Sequence, residues 1–344
     1  MKRKIVISTI LFVFVLALIP VGRWAVRKEV KLRPAKMGIS TIRLYDTERE
    51  RPVVTEVWYP VDESTPADPV EGLWVRCAEA RDAPLKATKQ YPLIVMSHGN
   101  WGDRFNNAWI AETLAANGYI VASMDHYGNT WNNKIPENFL KLWDRPQDIT
   151  FVIDQILQDE KFGPHIDKSK VGFVGYSLGG FTGIWIAGGK LNTLEQLQMR
   201  DIPKEHLPPT MSEEIFSSID FSPAVDSYRD SRVNAVFVMA PALGHFFDTK
   251  SLEAISIPVH IVASAGDTVV STESSARVLA STIKKGVLML IAPTASHFVF
   301  VNQASQGGKM LIDKQVACDP PEVDRAKIHE EVAISAVCFF NRHL

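Results

Sequence analysis

The segment Gly175-Tyr176-Ser177-Leu178-Gly179-Gly180 follows the apolar run Val171 to Val174 and precedes the apolar stretch Phe181 to Ala187. Together they predict a strand, a tight turn and a helix. In a Gly-x-Ser-x-Gly turn the serine takes a strained backbone conformation that lifts its hydroxyl clear of the sheet, and the glycines keep side chains out of the strand–helix crossing. The helix starts directly after the serine, so its unpaired N–H groups and positive dipole end face the charge that develops during attack. Alone, the pattern fits a structural glycine-rich turn equally well. The rest of the chain must supply a base, an acid and oxyanion donors.

Around this turn the sequence alternates buried-strand and helical patterns. Thr41 to Asp46 and Val53 to Tyr59 are β-rich with polar Thr47 to Arg51 between them, which predicts an opening antiparallel hairpin, followed by a surface loop from Pro60 to Glu71. Pro92 to Met96, Tyr119 to Met124, Val171 to Val174, Val233 to Met239, Val259 to Ala263 and Val287 to Ile291 are apolar runs too short for helices, as strands buried on both faces should be. Between them Trp109 to Ala116, the spacing Ile149, Val152, Ile153, Ile156, Leu157, and Ser274 to Ile283 read as helices, and Ile328 to Phe340 closes the chain as one more. The implied fold class is α/β, a mainly parallel sheet flanked by helices.

One segment interrupts the alternation. Gly188 to Arg232 is far longer than a usual connection and carries Leu191, Leu194, Leu197, Ile215, Phe216, Ile219 and Phe221. That apolar content predicts a cap insertion over residues 188–232, packed over the strand ends, instead of a disordered loop.

The N-terminus differs in kind. Lys2-Arg3-Lys4 precede an uncharged apolar stretch from Ile5 to Val21, and Arg23, Arg27, Lys28, Lys31 and Arg33 follow it. At 1.5 Å per residue such a stretch is just long enough to cross a bilayer core of about 30 Å when the basic flanks snorkel. Residues 1–22 are therefore expected to be a membrane anchor or an export signal peptide, with an anchor favoured because no small-x-small cleavage site follows. Residues 23–40 read as a linker and 41–344 as the catalytic-type domain. The expected location is the membrane, by a single N-terminal helix, or outside it after export.

With 344 residues, 46% hydrophobic, 22% charged and a net charge of -2, the chain has material for a large core and no basic run in its body, so nucleic acid is not an expected partner. No histidine or cysteine pair has metal-ligand spacing, and no metal or cofactor is expected. Cys77, Cys318 and Cys338 allow at most one disulfide. Export would permit it, and Cys77 with Cys318 is the favoured pair because Cys338 lies in an apolar helical run; three unbridged thiols is the other reading.

In a parallel α/β sheet, ligands collect beyond the carboxyl ends of the strands. Four such ends carry suitable chemistry: Ser97-His98-Gly99-Asn100-Trp101-Gly102, then Ser177, then Gly266-Asp267, then Ala295-Ser296-His297-Phe298. A hydroxyl is a poor nucleophile until an imidazole takes its proton, and the imidazole must be held in one tautomer by a carboxylate. The chain order therefore assigns Ser177 as nucleophile, His297 as base and then acid, and Asp267 as the orienting carboxylate. Asp248 and Asp226 are rival acids. The backbone N–H groups of Asn100 and Leu178 are the expected oxyanion donors. His98 is expected to shape the oxyanion loop, and Asp125 and His126 to brace loops near the mouth.

Further segments carry a family resemblance: Glu56-Val57-Trp58-Tyr59-Pro60, Tyr91 to Gly99, Asp125-His126 with Gly128-Asn129-Thr130, Arg145-Pro146-Gln147-Asp148, and Asp324-Arg325 with His329. With the Ser177 turn they resemble α/β-hydrolases of the predicted dienelactone hydrolase type, adjacent to the platelet-activating-factor acetylhydrolases, from about Thr41 to the C-terminus. The resemblance implies a cofactor-free serine hydrolase with the triad above and an oxyanion N–H at Asn100. Dienelactone hydrolases carry a cysteine where this chain has Ser177, so an acyl-enzyme on an ordinary carboxylic ester is the expected chemistry. The anchor and the apolar cap point to a hydrophobic or acyl-lipid ester. A catalytically silent binding protein of the same fold, or an acyltransferase with the same triad, are the competing readings.

Overall fold

The apolar runs predicted as strands lie in one sheet, buried except at its edge, where Val287 and Leu290 are exposed instead of covered on both faces. The computed structural model describes residues 30–32, 34, 36–192 and 210–344, and those from Lys31 onward belong to one compact unit. Among them a nine-stranded sheet runs in the order β3-β1-β2-β5-β4-β6-β7-β8-β9. The strands are β1 (Lys36–Asp46), β2 (Arg51–Tyr59), β3 (Ala78–Arg81), β4 (Tyr91–Ser97), β5 (Ile120–Met124), β6 (Ile166–Tyr176), β7 (Val233–Met239), β8 (Val259–Ala263) and β9 (Gly286–Leu290). The β1–β2 hairpin is antiparallel and β2 runs antiparallel to β5, whereas β5, β4, β6, β7, β8 and β9 are mutually parallel.

The helices are α1 (Ala108–Ala116), α2 (Pro136–Leu140), α3 (Asp144–Gln158), α4 (Leu178–Ala187), α5 (Glu213–Ser218), α6 (Thr249–Glu253), α7 (Val278–Thr282), α8 (Gln306–Leu311), α9 (Lys314–Ala317) and α10 (Arg325–His343). Successive strand residues point to opposite faces, and the sheet is clad accordingly. A side chain at Gly172 would strike Phe340 of α10 on one face, while Phe173 packs on the other beneath Gly183 of α4. Every residue of α4 is buried, which explains why its sequence is apolar all round and lacks an amphipathic period. This is the α/β-hydrolase fold, in agreement with the pattern of the sequence.

Several boundaries differ from expectation. The sheet begins at Lys36, inside the stretch expected to be linker, because Met37 and Ile39 are buried in β1 while nearby basic residues dilute the signal. Edge strand β3 is too short and too charged to announce itself. The helix expected over 274–283 is a wide π-helical turn, Glu273–Arg277, continued by α7. All three thiols are free: Cys77 is half-buried and Cys318 and Cys338 are exposed, Cys338 on the solvent side of α10, so the favoured bridge does not form.

In the cap, Phe216 and Phe221 meet at 5.3 Å and Phe221 stands edge-on to Trp143 at 5.9 Å, which seats the described part against the body. Leu194 and Leu197 lie outside the described residues. So does the apolar N-terminal stretch expected to be an anchor or signal. Among the described residues no helix is long and apolar enough to cross a membrane.

Candidate active site

Register places the four chemically suitable strand ends on one edge. Gly175 of β6 pairs with Ser97 of β4, Tyr176 with Met239 of β7, Met239 with Val262 of β8, and Ala263 with Leu290 of β9. The loops leaving these strands therefore meet.

Ser177 has φ 54° and ψ -116°, a conformation L-residues avoid. It is held there on both sides: its N–H donates to Met239 O at 2.9 Å, and its carbonyl accepts from Phe181 N and Ala242 N, each at 3.1 Å. The glycines allow the crossing that produces this strain. A Cβ at Gly179 would lie 1.9 Å from Ser97 O, and one at Gly175 would lie 2.2 Å from Gly179 O. Such strain at a single polar residue is typical of functional sites.

The structure brings Ser177, His297 and Asp267 together. Ser177 Oγ lies 2.9 Å from His297 Nε2, and His297 Nδ1 lies 2.6 Å from Asp267 Oδ2. The other carboxylate oxygen accepts from Val269 N at 2.9 Å and Val270 N at 2.8 Å, so Asp267 is fixed by two backbone donors. With Oδ2 accepting from Nδ1–H, Nε2 is left as the acceptor for the serine proton. Tyr176 adds a brace, its hydroxyl donating to His297 O at 3.1 Å. Burial, and then the Asp267 charge, hold the Tyr176 phenol well above its ordinary pKa, so this donor stays protonated. At 8% exposure, Ser177 is sheltered but reachable.

The rival acids lie elsewhere. Asp248 caps α6, accepting from Ser251 N at 2.8 Å, and Asp226 is exposed after a short 3-10 turn.

Of the expected oxyanion donors, Leu178 N is the first N–H of α4, and neither it nor Asn100 N makes a backbone hydrogen bond among the described residues. The loop carrying Asn100 lies against the serine, since a Cβ at Gly99 would be 3.3 Å from Ser177 Cβ. His98 is locked as a neutral ring. Its Nδ1 donates to Gly99 O at 2.7 Å and its Nε2 accepts from His126 N at 3.2 Å. Burial first, then the Arg145 charge, push its pKa well below the usual histidine value.

Beneath this loop lies a second serine–histidine–aspartate relay that sequence reading missed. Ser97 Oγ donates to His126 Nε2 at 2.9 Å and His126 Nδ1 donates to Asp148 Oδ2 at 2.8 Å. All three residues are buried, so no substrate reaches Ser97. Burial, with Arg145, Arg51 and Arg49 nearby, keeps His126 neutral. Asp125 anchors the loop from the other side, accepting from Arg104 N at 2.8 Å and Arg104 Nη1 at 2.6 Å, while Arg104 also pairs with buried Glu56 at 3.2 Å. Ser97, His126, Asp148, Asp125 and Glu56 all fall in the short segments that carry the resemblance, the signal that could have found the relay, whereas Arg104 does not.

Two family models, two curated relatives and a solved structure match the chain. Residues 104–311 match the prolyl oligopeptidase family, and residues 73–132 match platelet-activating factor acetylhydrolase, isoform II. An uncharacterized peptidase of Bacillus subtilis is 29% identical over 125 residues, 34% of this chain and 18% of that protein. A probable dipeptidyl-aminopeptidase B of Arthroderma gypseum is 29% identical over 137 residues, 37% of this chain and 14% of that protein. The chain thus spans less than a fifth of the length of either relative. A ferulic acid esterase from Streptomyces cinnamoneus superposes with a TM-score of 0.62 at 18% identity, covering 90% of both chains.

Proposed function

We propose that this chain, which belongs to the prolyl oligopeptidase family of serine hydrolases, cleaves carboxylic esters through an acyl-enzyme on Ser177. The observation that carries the proposal is the hydrogen-bonded series Asp267–His297–Ser177 at a strained strand–helix turn.

In this reading His297 Nε2 takes the Ser177 proton as Oγ attacks the ester carbonyl, and the resulting imidazolium is stabilised by Asp267. The carbonyl oxygen, now negative, is received by the N–H groups of Asn100 and Leu178, helped by the positive end of α4. His297 then returns the proton to the leaving alkoxide, and a water repeats the sequence to free the acid.

The apolar side chains Phe216, Ile219 and Phe221 of the cap, with Phe221 edge-on to Trp143, favour an ester with a hydrophobic acyl group. The fold neighbour named for ferulic acid ester cleavage supports an ester; the curated relatives named as peptidases favour an amide as the second reading. Residues 1–22 are assigned, on sequence alone, to anchoring the enzyme in a membrane or directing its export.

The test is labelling of the full chain with a fluorophosphonate beside Ser177→Ala, followed by aryl esters of graded acyl length set against dipeptidyl anilides. Labelling lost in the variant and turnover that peaks with ester chain length are expected. A higher kcat/KM on the anilides would replace the esterase by a peptidase, and an unlabelled, inactive folded protein would leave a binding role.

A further inference from the structure

We infer that Arg145 is a positioning residue that sets both oxyanion donors at once, because one buried guanidinium ties the loop bearing Asn100 to the helix that begins at Leu178. The inference rests on the serine-hydrolase reading and deepens it.

The two proposed donors sit on different elements, and nothing in the sequence joins them: Asn100 follows β4 and Leu178 opens α4. Arg145 stands at the start of α3 between them, 3% exposed. Toward the loop, Nη2 donates to Ser97 Oγ at 3.2 Å and closely to His98 O. Nη1 donates to Asn129 Oδ1 at 3.4 Å, and the same oxygen accepts from Trp101 N at 3.2 Å. Asn100 is thereby bracketed, with the carbonyl two residues before it and the N–H one residue after it both referred to the same cation. Trp101 has φ 57°, so this part of the loop needs outside support to persist.

Toward the helix, Nε donates to Thr182 Oγ1 at 3.3 Å, and Thr182 Oγ1 donates to Leu178 O at 3.0 Å. That carbonyl lies one turn down the helix from Thr182 and belongs to the residue whose N–H is the second donor. The planar, fork-shaped donor set of arginine can serve both directions, whereas a lysine offers only one point charge.

Among the described residues no carboxylate forms a direct ion pair with the guanidinium. Asp148, which would be the obvious candidate, is committed to Arg49 at 2.9 Å, Arg51 at 3.5 Å and His126 at 2.8 Å. Burial draws the Arg145 pKa down to about 9, which still leaves it protonated at neutral pH. A buried cation that spends its donors on neutral oxygens of two functional segments is costly unless those segments need fixing. Oxyanion stabilisation has that need, because donors work only when already aimed.

The experiment compares Arg145→Met, Arg145→Lys and Thr182→Val with the wild-type full chain. It records kcat and KM on an aryl ester and inhibition by an alkylboronic acid, whose Ser177 adduct places an oxygen between the two N–H groups. Arg145→Met is expected to lower kcat by about a hundredfold with KM within a few-fold, and to weaken the boronate by a similar factor. Arg145→Lys should recover part of both, and Thr182→Val, which releases only the helix side, should lose several-fold. Folded variants that keep wild-type kcat and boronate affinity, or lose only KM, overturn the inference. If Arg145→Met fails to fold, the other two variants decide the same question. Wild-type protein that neither labels at Ser177 nor turns over ester would instead overturn the proposed function itself.

Discussion

Ser177 and His297 stand 120 positions apart in the chain, yet Oγ and Nε2 lie 2.9 Å from each other. Ser177 directly follows β6 and His297 stands in the loop after β9, with β7 and β8 between those strands, so the contact depends on the parallel register of the whole sheet from β6 to β9. Removing either side chain ends proton transfer without removing packing. Ser177→Ala and His297→Ala are expected to lose turnover by a thousandfold or more while melting near the wild-type temperature. Steady-state kinetics and thermal melts check both halves of this statement.

Asp267 and Asp248 can be separated by one substitution each. Asp267 accepts from His297 and from two backbone N–H groups, so Asp267→Asn presents the imidazole with the wrong partner and favours the wrong tautomer; turnover should fall by about a thousandfold to ten-thousandfold. Asp248→Asn keeps a capping oxygen on α6 and should leave kcat unchanged, while Asp248→Ala should cost about 1 kcal/mol of stability. An inactive Asp248→Asn beside an active Asp267→Asn would reverse the acid assignment.

Gly179 is confined by backbone on the other side of the crossing. Because an added Cβ would fall 1.9 Å from Ser97 O, Gly179→Ala must push α4 away from β4. Destabilisation of about 3 kcal/mol or more is expected, with the loss of activity following the shift of Leu178. Chemical denaturation read beside the kinetics tests this, and a wild-type midpoint would show that the crossing is looser than drawn.

The pH dependence of stability has a definite sign at His260. Burial lowers its pKa from 6.5 to about 4, its ring packing on Phe237 while Nε2 meets Ser335 Oγ at 3.0 Å. The unfolded ring takes a proton as pH falls below 6.5 and the folded ring does not until about 4, so the folded state loses ground within that window. Relative to His260→Gln, the wild-type protein should lose at most about 1.4 kcal/mol per pH unit there, less where solvent screens the ring. Denaturation midpoints at pH 7 and 5 for both proteins measure the difference, and parallel curves would refute it.

Much of the molecule was legible before folding. The strand runs, the Ser177 turn and the alternation that makes a parallel sheet are local, because burial on both strand faces and a strained Gly-x-Ser-x-Gly turn each leave a contiguous pattern. The hairpin's early start at Lys36, the edge strand Ala78–Arg81 and the free state of Cys77 left no such pattern, since charged or isolated residues there are placed by neighbours distant in sequence.

The sequence by itself determined the class of fold, the order in which serine, aspartate and histidine reach one sheet edge, and the identity of the serine. Only the tertiary structure decided that Asp267 and not Asp248 meets His297, and that Ser97, His126 and Asp148 form a buried relay. It alone showed that Arg145 joins the Asn100 loop to the Leu178 helix. The physical reason is range. Periodicity and turn chemistry act between neighbours in the chain, whereas a buried hydrogen bond joins whichever polar atoms the packed layers leave without water, and those come from different strands and helices.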